Sequence, residues 1–295
     1  MNEHEVLVDR AARASLVLFV GGLDAGKSTL ARATCAFALR LGRSVAYLDA
    51  DVAQKTVGPP ATVGLKMIRS ADDLTLDAMR EADALGFVGS TSTEDHLLPL
   101  VGALMRLRDR ARGDGAELVV VDTGGEVSGI RAQLVQYYKV DMLEPDLVVG
   151  LRRGEELEPV LGVVERFFGI ETLAVPVHPD VVLSSVEARM EQRTSSMARY
   201  FDREVHRYRV RPTVFMPTLP PLFDLETLDR LLVGLSDGAG GFAGLGYLEH
   251  VPDDGGLRLI APVADPPKAL RLGSVRLEDD FRTKRVDLRT LFGTE

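Results

Sequence analysis

The sequence is poor in the residues that build disulfide frameworks and metal clusters. One of its 295 residues is cysteine, Cys35, and the five histidines are scattered along the chain. A single cysteine excludes an intramolecular disulfide and a multi-cysteine metal site, and it is typical of a protein of the reducing cytosol. Because Cys35 follows a glycine-rich segment by one or two helical turns, we expect it to pack in the core.

Segments that enter membranes are also missing. The N-terminal stretch MNEHEVLVDRAARAS has no basic region followed by an apolar one. No apolar run approaches the roughly 20 residues that span a bilayer. We therefore expect a cytoplasmic protein with no membrane partner.

Basic side chains are fewer than acidic ones, 35 against 44, and the net charge is −9. Such a chain does not attract polyphosphates over its whole surface, so any affinity for nucleic acid requires a local basic cluster. The apolar share of 45% is sufficient for a large folded core.

Short apolar runs alternate with helical patterns through the first two thirds of the chain. This alternation predicts an α/β fold with a mainly parallel sheet covered by helices on both sides. Beyond residue 211, turn signals and closely spaced strand patterns predict a small all-β domain. The predicted division is an N-terminal extension (1–14), a nucleotide-binding domain (15–211) and a C-terminal β domain (212–295). The predicted strands are SLVLFV, SVAYLDAD, ALGFVGS, ELVVVD, DLVVGLR and TLAVPV, then FAGLGYLEHV, GLRLIAPV and ALRLGSVRL; the predicted helices cover 28–41, 96–112 and ELEPVLGVVERFFG.

Residues 21–28, GGLDAGKS, match the phosphate-binding pattern G-x-x-x-x-G-K-[ST] between a predicted strand and a predicted helix. Glycines allow backbone N–H groups to turn toward phosphate oxygens, and the helix adds its positive N-terminal end. We expect Lys27 to reach the β and γ phosphates of ATP and Ser28 to bind Mg²⁺, while Thr29 opens the helix. The predicted nucleotide-binding residues are Gly21, Gly22, Leu23, Asp24, Ala25, Gly26, Lys27, Ser28, Thr29 and Gln54.

Acidic residues end two of the predicted strands. Asp49 and Asp51 lie two residues apart, so both can point to one side of a strand, and Asp122 ends the run LVVVD. A P-loop enzyme needs an acid near its metal and, in a kinase, a base for the attacking hydroxyl. We predict Asp51 as that base, Asp49, Asp51 and Asp122 with Ser28 as metal residues, and Gln54 as a neighbour that positions groups.

An ordered set of segments resembles the Clp1/Grc3 family of polynucleotide 5′-hydroxyl kinases. The resemblance covers roughly residues 15–211 and is weaker over the C-terminal β segment. It implies ATP-dependent phosphorylation of RNA or DNA 5′-hydroxyl ends, and an RNA-processing protein as partner. The segments are GGLDAGKSTL (21–30), DADVAQ (49–54), GPPATVG (58–64), GFVGSTSTEDHLLPL (86–100) and VVVDTGGEVSG (119–129).

The resemblance also implies a lid helix that brings arginines over the ATP phosphates, at Arg189 and Arg193 here. These two lie four residues apart, on one helix face, and Arg199 is a further candidate. The arginines continue through 203, 207, 209 and 211, the main basic concentration of the chain and a predicted track for a nucleic-acid backbone.

Several positions depart from the family pattern. Ala53 and Ala61 replace glycines, Glu126 stands where eukaryotic members have an aromatic residue, and no separate N-terminal β domain precedes the first strand, which suggests a reduced member. Two alternatives therefore remain open. One is a non-catalytic ATP-binding assembly factor for RNA processing, and the other is a P-loop kinase with a small-molecule acceptor.

Overall fold

The structure is a computed structural model that describes residues 3–253 and 255–293. Residues 1–2 of the predicted extension and residues 254 and 294–295 of the predicted β domain lie outside this part. Strands β1–β7 span Leu16–Gly21, Val45–Asp49, Thr62–Ile68, Ala84–Phe87, Leu118–Asp122, Leu147–Arg152 and Glu171–Pro176. Strands β8–β14 span His206–Val210, Phe215–Met216, Leu231–Ser236, Phe242–Val251, Gly256–Ala261, Ala269–Leu277 and Thr283–Arg285. Helices α1–α8 span Glu3–Ala12, Lys27–Arg40, Leu76–Arg80, Leu97–Gly113, Gly129–Leu143, Glu158–Phe168, Val186–Phe201 and Leu288–Leu291.

Five parallel strands in the order β7-β6-β1-β5-β2 form the nucleotide-binding half of the sheet. Strands β1, β2 and β5 are buried along their whole length, which explains their continuous apolar sequences. Their carboxyl ends meet at one edge, where Asp49 and Asp122 are directly paired in register. This edge is where ligands bind in open α/β sheets.

The sheet continues with antiparallel strands beyond β2. Strand β3 pairs with β2 and β4, and β11 then joins β4 through a single pair, Phe242 with Leu85. The α/β P-loop fold with a C-terminal group of strands is thus confirmed. The C-terminal strands are hydrogen-bonded to the P-loop sheet and form one sheet of 14 strands with it. Strand β8 lies before residue 212 but pairs with β12.

Some elements differ from the sequence-based expectation. Segment 58–64 is not among the predicted strands, but β3 begins at Thr62. Helices α1 and α5 are likewise not among the predicted elements. Strand β7 was expected to be buried on both faces, yet it is the edge strand and most of its residues are partly or fully exposed. The helix after the P-loop begins at Lys27, before Thr29.

Helix α7 connects the two halves of the molecule. Its last turns bury Met197, Tyr200 and Phe201 against β-strand residues that include Leu232 and Leu245. The Tyr200 hydroxyl accepts a hydrogen bond from the Leu245 amide at 2.7 Å. The C-terminal end of α7 is therefore fixed to the C-terminal strands, while its first half lies over the sheet edge described above.

Across residues 3–253 and 255–293, no helix combines the length and the apolar character that crossing a bilayer requires.

Candidate active site

The P-loop follows β1 and turns directly into α2. Gly26, the residue before the helix, has a φ of 90°, a conformation that glycine adopts without a steric penalty. The loop after β5 lies against it. A Cβ at Gly125 would be 2.7 Å from the Leu23 amide nitrogen, so only glycine allows this approach. The two loops together form the floor of a site at the carboxyl edge of the sheet.

Two cationic side chains cross the P-loop. The Lys27 ammonium donates a hydrogen bond to the Gly22 carbonyl at 2.8 Å. Arg153 follows β6 and donates to the carbonyls of Leu23 at 2.9 Å and Asp24 at 3.0 Å. Burial lowers the pKa of Lys27, and Asp122, Asp51 and Asp24 act in the opposite direction. Lys27 is therefore the cation of the loop itself, whereas Arg153 holds the loop carbonyls from outside.

Asp51 lies just past β2 and faces the cavity over the sheet edge. Its Oδ1 accepts hydrogen bonds from the amides of Ala53 at 2.8 Å and Gln54 at 2.9 Å. A Cβ on Gly124 would lie 3.6 Å from Oδ2. The Asp51 side chain is partly exposed, and these contacts fix the carboxylate while Oδ2 faces the loop after β5. This is the geometry that a base acting on a bound hydroxyl needs.

Asp49 is committed to structural contacts. Its Oδ1 forms an ion pair with Lys55 at 3.0 Å, and the side chains of both residues are 1% exposed. Its Oδ2 accepts from the amides of Thr56 at 2.6 Å and Val57 at 2.8 Å. Burial raises its pKa to about 6, although Lys55 acts to lower it. Both oxygens of Asp49 therefore have protein partners among the described residues, unlike Oδ1 of Asp122, and the metal role of Asp49 stays a prediction.

Asp122 is the acid best placed for a metal ion. Burial raises its pKa, and the Ser28 hydroxyl, the Tyr47 hydroxyl and Lys27 act to lower it. Its Oδ2 accepts from the Tyr47 hydroxyl at 2.6 Å, whereas Oδ1 is buried and has no hydrogen-bond partner among the described residues. A buried carboxylate oxygen without a partner, beside the P-loop serine, fits a divalent cation such as Mg²⁺.

Within the described ranges, no three Asp, Glu, His or Cys side chains converge on one metal position. A metal at this edge would therefore be held by Ser28, by Asp122 directly or through water, and by phosphate oxygens. This matches the way Mg²⁺ is usually bound, with one or two protein carboxylates and the remaining ligands from substrate and water.

The first half of α7 covers the site, as the lid prediction requires. The Gln54 side-chain amide donates to the Arg189 carbonyl at 3.0 Å. Arg189 lies 3.9 Å from the Asp24 carboxylate and also donates to the Ser184 carbonyl. Arg193 is half-buried; burial lowers the pKa of its guanidinium, and the Asp51 carboxylate acts to raise it. Helix α7 thus holds two arginines above the P-loop and Asp51.

Two adjoining cavities open above the sheet edge. One, of about 200 Å³, lies between Asp51, Gln54 and the α7 residues Arg189 and Arg193. The other, of about 570 Å³, lies beside α5 and the segment before α4. Thr93, Gly125 and Glu126 line both. The two cavities therefore adjoin each other at these residues, where the Thr93 hydroxyl is hydrogen-bonded to the Glu126 carboxylate.

Two residues of the site were missed by the sequence reasoning. No sequence pattern marks Arg153, because the position of β6 beside β1 is not evident from their order in the chain. Lys139, in contrast, is marked by a sequence pattern. Its helix face is otherwise formed by buried residues such as Val135 and Val140, so a lysine at that spacing marks a charge directed into the protein. Of the predicted binding residues, Leu23 and Thr29 are exposed.

Comparison with known proteins assigns the family. The model of the family described as mRNA cleavage and polyadenylation factor CLP1 P-loop matches residues 21–203, which include the P-loop, the three acids and α7. This chain belongs to that family of P-loop proteins.

Curated relatives at the sequence level carry an enzymatic name. A polyribonucleotide 5′-hydroxyl-kinase of Methanocaldococcus jannaschii is 32% identical over 63% of this chain, and the match spans only 50% of that relative. Polyribonucleotide 5′-hydroxyl-kinases of Thermococcus kodakarensis and Pyrococcus horikoshii are each 26% identical over 90% of the chain, and these matches span 88% and 86% of the relatives.

Solved structures show the same fold. A wild-type Clp1p–Pcf11p complex has a TM-score of 0.69, with 15% identity over 92% of this chain and 77% of that one. A second structure, which concerns the interface of Pcf11p and Clp1p and ATP loss in a Gly135Arg mutant, has a TM-score of 0.72 at 15% identity and covers 92% and 78%. The resemblance inferred from the motifs is thus confirmed.

Proposed function

We propose that this chain is an ATP-dependent polynucleotide 5′-hydroxyl kinase that transfers the γ-phosphate of ATP to the 5′-hydroxyl of RNA, with DNA as the alternative acceptor. The observation that carries the proposal is the Asp51 carboxylate, fixed by two amides at the end of a cavity that two lid arginines and the P-loop enclose. The names of the relatives support the same activity.

The transfer step assigns a role to each side chain. The acceptor 5′-oxygen attacks the γ-phosphorus, and the bond from that phosphorus to the β–γ bridging oxygen breaks, so that ADP leaves. Asp51 takes the proton of the attacking hydroxyl. Lys27, Arg189 and Arg193 stabilise the negative charge on the transferring group and the leaving oxygen.

The nucleotide is held mainly by backbone. Residues 21–29 present amide groups to the phosphates, and Arg153 fixes the loop carbonyls from outside. Ser28 and Asp122 would hold Mg²⁺, which when bound neutralises phosphate charge. Gln54 fixes the lid through the Arg189 carbonyl.

The proposal is tested by incubating the purified chain with γ-labelled ATP and a 5′-hydroxyl oligoribonucleotide. Label should appear on the oligonucleotide, and an otherwise identical 5′-phosphorylated oligonucleotide should take none. Lys27→Ala should abolish transfer, because it removes the ammonium from the phosphate site. If wild-type protein labels no RNA or DNA acceptor with any divalent cation, the proposed activity is wrong.

A second candidate function rests on the contacts that close the lid. The Ser184 amide donates to the Asp24 carboxylate at 2.8 Å, next to the Arg189 contact, so α7 is tied to the P-loop without an acceptor. A lid closed in this way would suit a non-catalytic ATP-binding assembly factor with an RNA-processing protein partner. ATP retained through purification without turnover, together with a co-purifying protein, would favour this function.

A kinase with a small-molecule acceptor is the third candidate, supported by Glu126, an acid on the acceptor side of the cavity. Competition between unlabelled small alcohols and the oligonucleotide distinguishes it from the first. A cytoplasmic location is part of the proposal and rests on the single thiol, Cys35, which is buried and free.

A further inference from the structure

A further cavity, of about 160 Å³, lies beside the C-terminal half of α7. Its other walls are the segment before β3, the end of α3 and the C-terminal strands, and we call it the basic cavity. The chain as a whole is acidic, with a net charge of −9, so cations gathered around one cavity favour an anionic ligand there. The charged residues that line it are four cations and one acid, namely Lys55, Arg80, Arg199, Arg203 and Glu81.

Three of these cations are paired with acids. Lys55 is paired with Asp49 at 3.0 Å, and Arg80 is paired with Asp77. The third pair joins residues 203 and 81 at 2.5 Å. Arg199 takes part in no ion pair among residues 3–253 and 255–293. It therefore supplies the positive charge of the cavity that no acid of the described chain offsets.

The two arginines from the end of α7 differ in how they are held. The Arg203 guanidinium donates to the Glu81 carboxylate and lies 5.6 Å from the centre of the Tyr200 ring. Tyr200 is itself fixed to the Leu245 amide. Arg199 lies in the last turn of α7 and is exposed. The cavity thus combines one cation in a fixed position with one that can turn toward a ligand.

The basic cavity and the cavity of about 200 Å³ lie on the same side of α7. Arg193 lines the latter, and Ser196 and Tyr200 line the basic cavity. Spacings of three and four residues place these side chains on one helix face. The opposite walls are also consecutive in the chain, because Gln54 lines one cavity and Lys55 the other. A strand bound along α7 would therefore pass from one cavity to the next.

The separation of the two cavities suits a nucleic-acid backbone. From Arg193 to Arg199 the helix rises about 9 Å, and the phosphates of one strand in a duplex follow each other at about 3.4 Å along the axis. The basic cavity thus lies a few nucleotides from the hydroxyl that Asp51 would deprotonate. A small-molecule acceptor bound at Asp51 would not reach it.

We propose that the basic cavity binds a backbone phosphate of the acceptor strand, a few nucleotides to the 3′ side of the hydroxyl that is phosphorylated, and that Arg199 is the main cation of this subsite. This inference rests on the proposed kinase function and narrows its acceptor to a polynucleotide. A phosphate contact positions the strand without reading its sequence, so the subsite is the same for every base.

Arg199→Gln tests the subsite without any assay of activity. Fluorescence anisotropy, without ATP and over a range of salt, gives the Kd for a 3′-labelled RNA of about ten nucleotides with a 5′-hydroxyl, a length within the range that single-strand sites cover. We expect a Kd about 5-fold higher at about 0.1 M salt and a salt slope smaller by about 0.7, the effect of losing one phosphate contact with a single strand. Arg199→Lys keeps the charge and should keep the wild-type slope. The melting temperature should not change, because the side chain is exposed.

Arg112→Gln is the matched control. Arg112 is also exposed and lies in the last turn of its helix, α4. This helix ends near Ser44, whose hydroxyl donates to the Gly115 carbonyl at 2.6 Å. Ser44 precedes β2, whereas Asp51 follows it, so Arg112 lies toward the opposite edge of the sheet. The variant loses the same charge and should keep the wild-type Kd and salt slope.

Steady-state kinetics then connect the subsite with the acceptor. In Arg199→Gln the KM for the same RNA should rise about 5-fold with little change in kcat, because the lost contact is made equally in the ground state and the transition state. A nucleoside 3′-monophosphate is too short to reach the basic cavity, so its KM should stay at the wild-type value. An equal rise of KM for both acceptors would contradict the inference.

The binding experiment also separates this inference from the proposed function. No RNA binding by the wild-type chain, an unchanged Kd and slope in Arg199→Gln, or an equal loss in Arg112→Gln would overturn the inference. It would also be wrong if Arg199→Gln weakened only the binding of an acidic peptide, because the cavity would then serve a protein partner. If RNA binding depends on Arg199 but wild-type protein transfers no label from ATP, the proposed kinase activity alone has failed.

Discussion

Asp49 and Asp51 are separated by one residue, and the Asp51 amide donates to Asp49 Oδ1 at 3.0 Å, but their carboxylates make different contacts. Asp49 holds Lys55 and the amides of Thr56 and Val57, whereas the Oδ2 of Asp51 lies beside the loop after β5. At the residue scale, the two-residue spacing predicted a shared role; the contacts of Asp49 favour a structural role, and the proposed base role falls to Asp51.

Substitution of each acid by asparagine should separate these roles. Asp51→Asn should lower kcat by about 10²–10⁴-fold, because it removes the base, and leave the affinity for ATP unchanged. Asp49→Asn should lower the free energy of unfolding by about 3–5 kcal/mol, because it leaves Lys55 buried without its counter-ion. Steady-state kinetics and urea denaturation measure the two effects. Unchanged transfer in Asp51→Asn would move the base role to another acid.

The residues of the site that could be predicted from the sequence are those within contiguous motifs. The P-loop spacing predicted Lys27 and Ser28, and strand ends predicted Asp51 and Asp122, and the structure brings all four to the same edge of the sheet. The family resemblance supplied Arg189 and Arg193. Arg153 could not be found in this way, because it reaches the P-loop only through the lateral order β5-β1-β6, which local sequence does not specify.

At the scale of single elements, α7 performs two tasks at its two ends. Arg193 lies in the first half, over Asp51, and the aromatic pair 200–201 lies in the second half, inside the C-terminal strands. The helix was predicted from the family resemblance, whereas its anchorage depends on contacts with Leu232 and Leu245 that are far away in sequence.

Arg193→Ala should lower kcat by about 10²–10³-fold, as when one donor to a developing anion is removed. The KM for ATP should change less. Gln192→Ala is a control at an adjacent, exposed position of α7 and should have wild-type kinetics. A raised KM with unchanged kcat would show instead that Arg193 contributes to ground-state binding alone.

At the scale of the whole molecule, the C-terminal strands extend the P-loop sheet. Phe87, at the end of β4, is buried against Gly234 of β10, where an added Cβ would be 2.4 Å from the phenyl Cγ. The Gly89 carbonyl also accepts a hydrogen bond from the Ser274 amide at 2.7 Å. The closely spaced strand patterns predicted a separate β domain at 212–295, and this division stays a prediction. The strand β11 was predicted, but its pairing with β4, which joins these strands to the P-loop sheet, could not be predicted from local pattern.

Gly234→Ala tests how far the two parts depend on each other. The added methyl group has to displace the Phe87 ring, so the free energy of unfolding should fall by about 1–3 kcal/mol. Gly113→Ala, at the end of α4 with nothing within 4 Å of the new Cβ, should be neutral or slightly stabilising. Chemical denaturation measures both. An unchanged stability of Gly234→Ala would show that Phe87 can leave this contact freely.

The two ends of helix α7 are held by different kinds of contact. Its C-terminal turn is fixed by Tyr200 and Leu245, whereas the contacts given above for its N-terminal end, within the described part of the chain, are polar ones to Asp24 and Gln54. If the chain has the proposed kinase function and α7 moves when the nucleotide exchanges, we expect the end near Ser184 to move and the end anchored in the β-strands to stay.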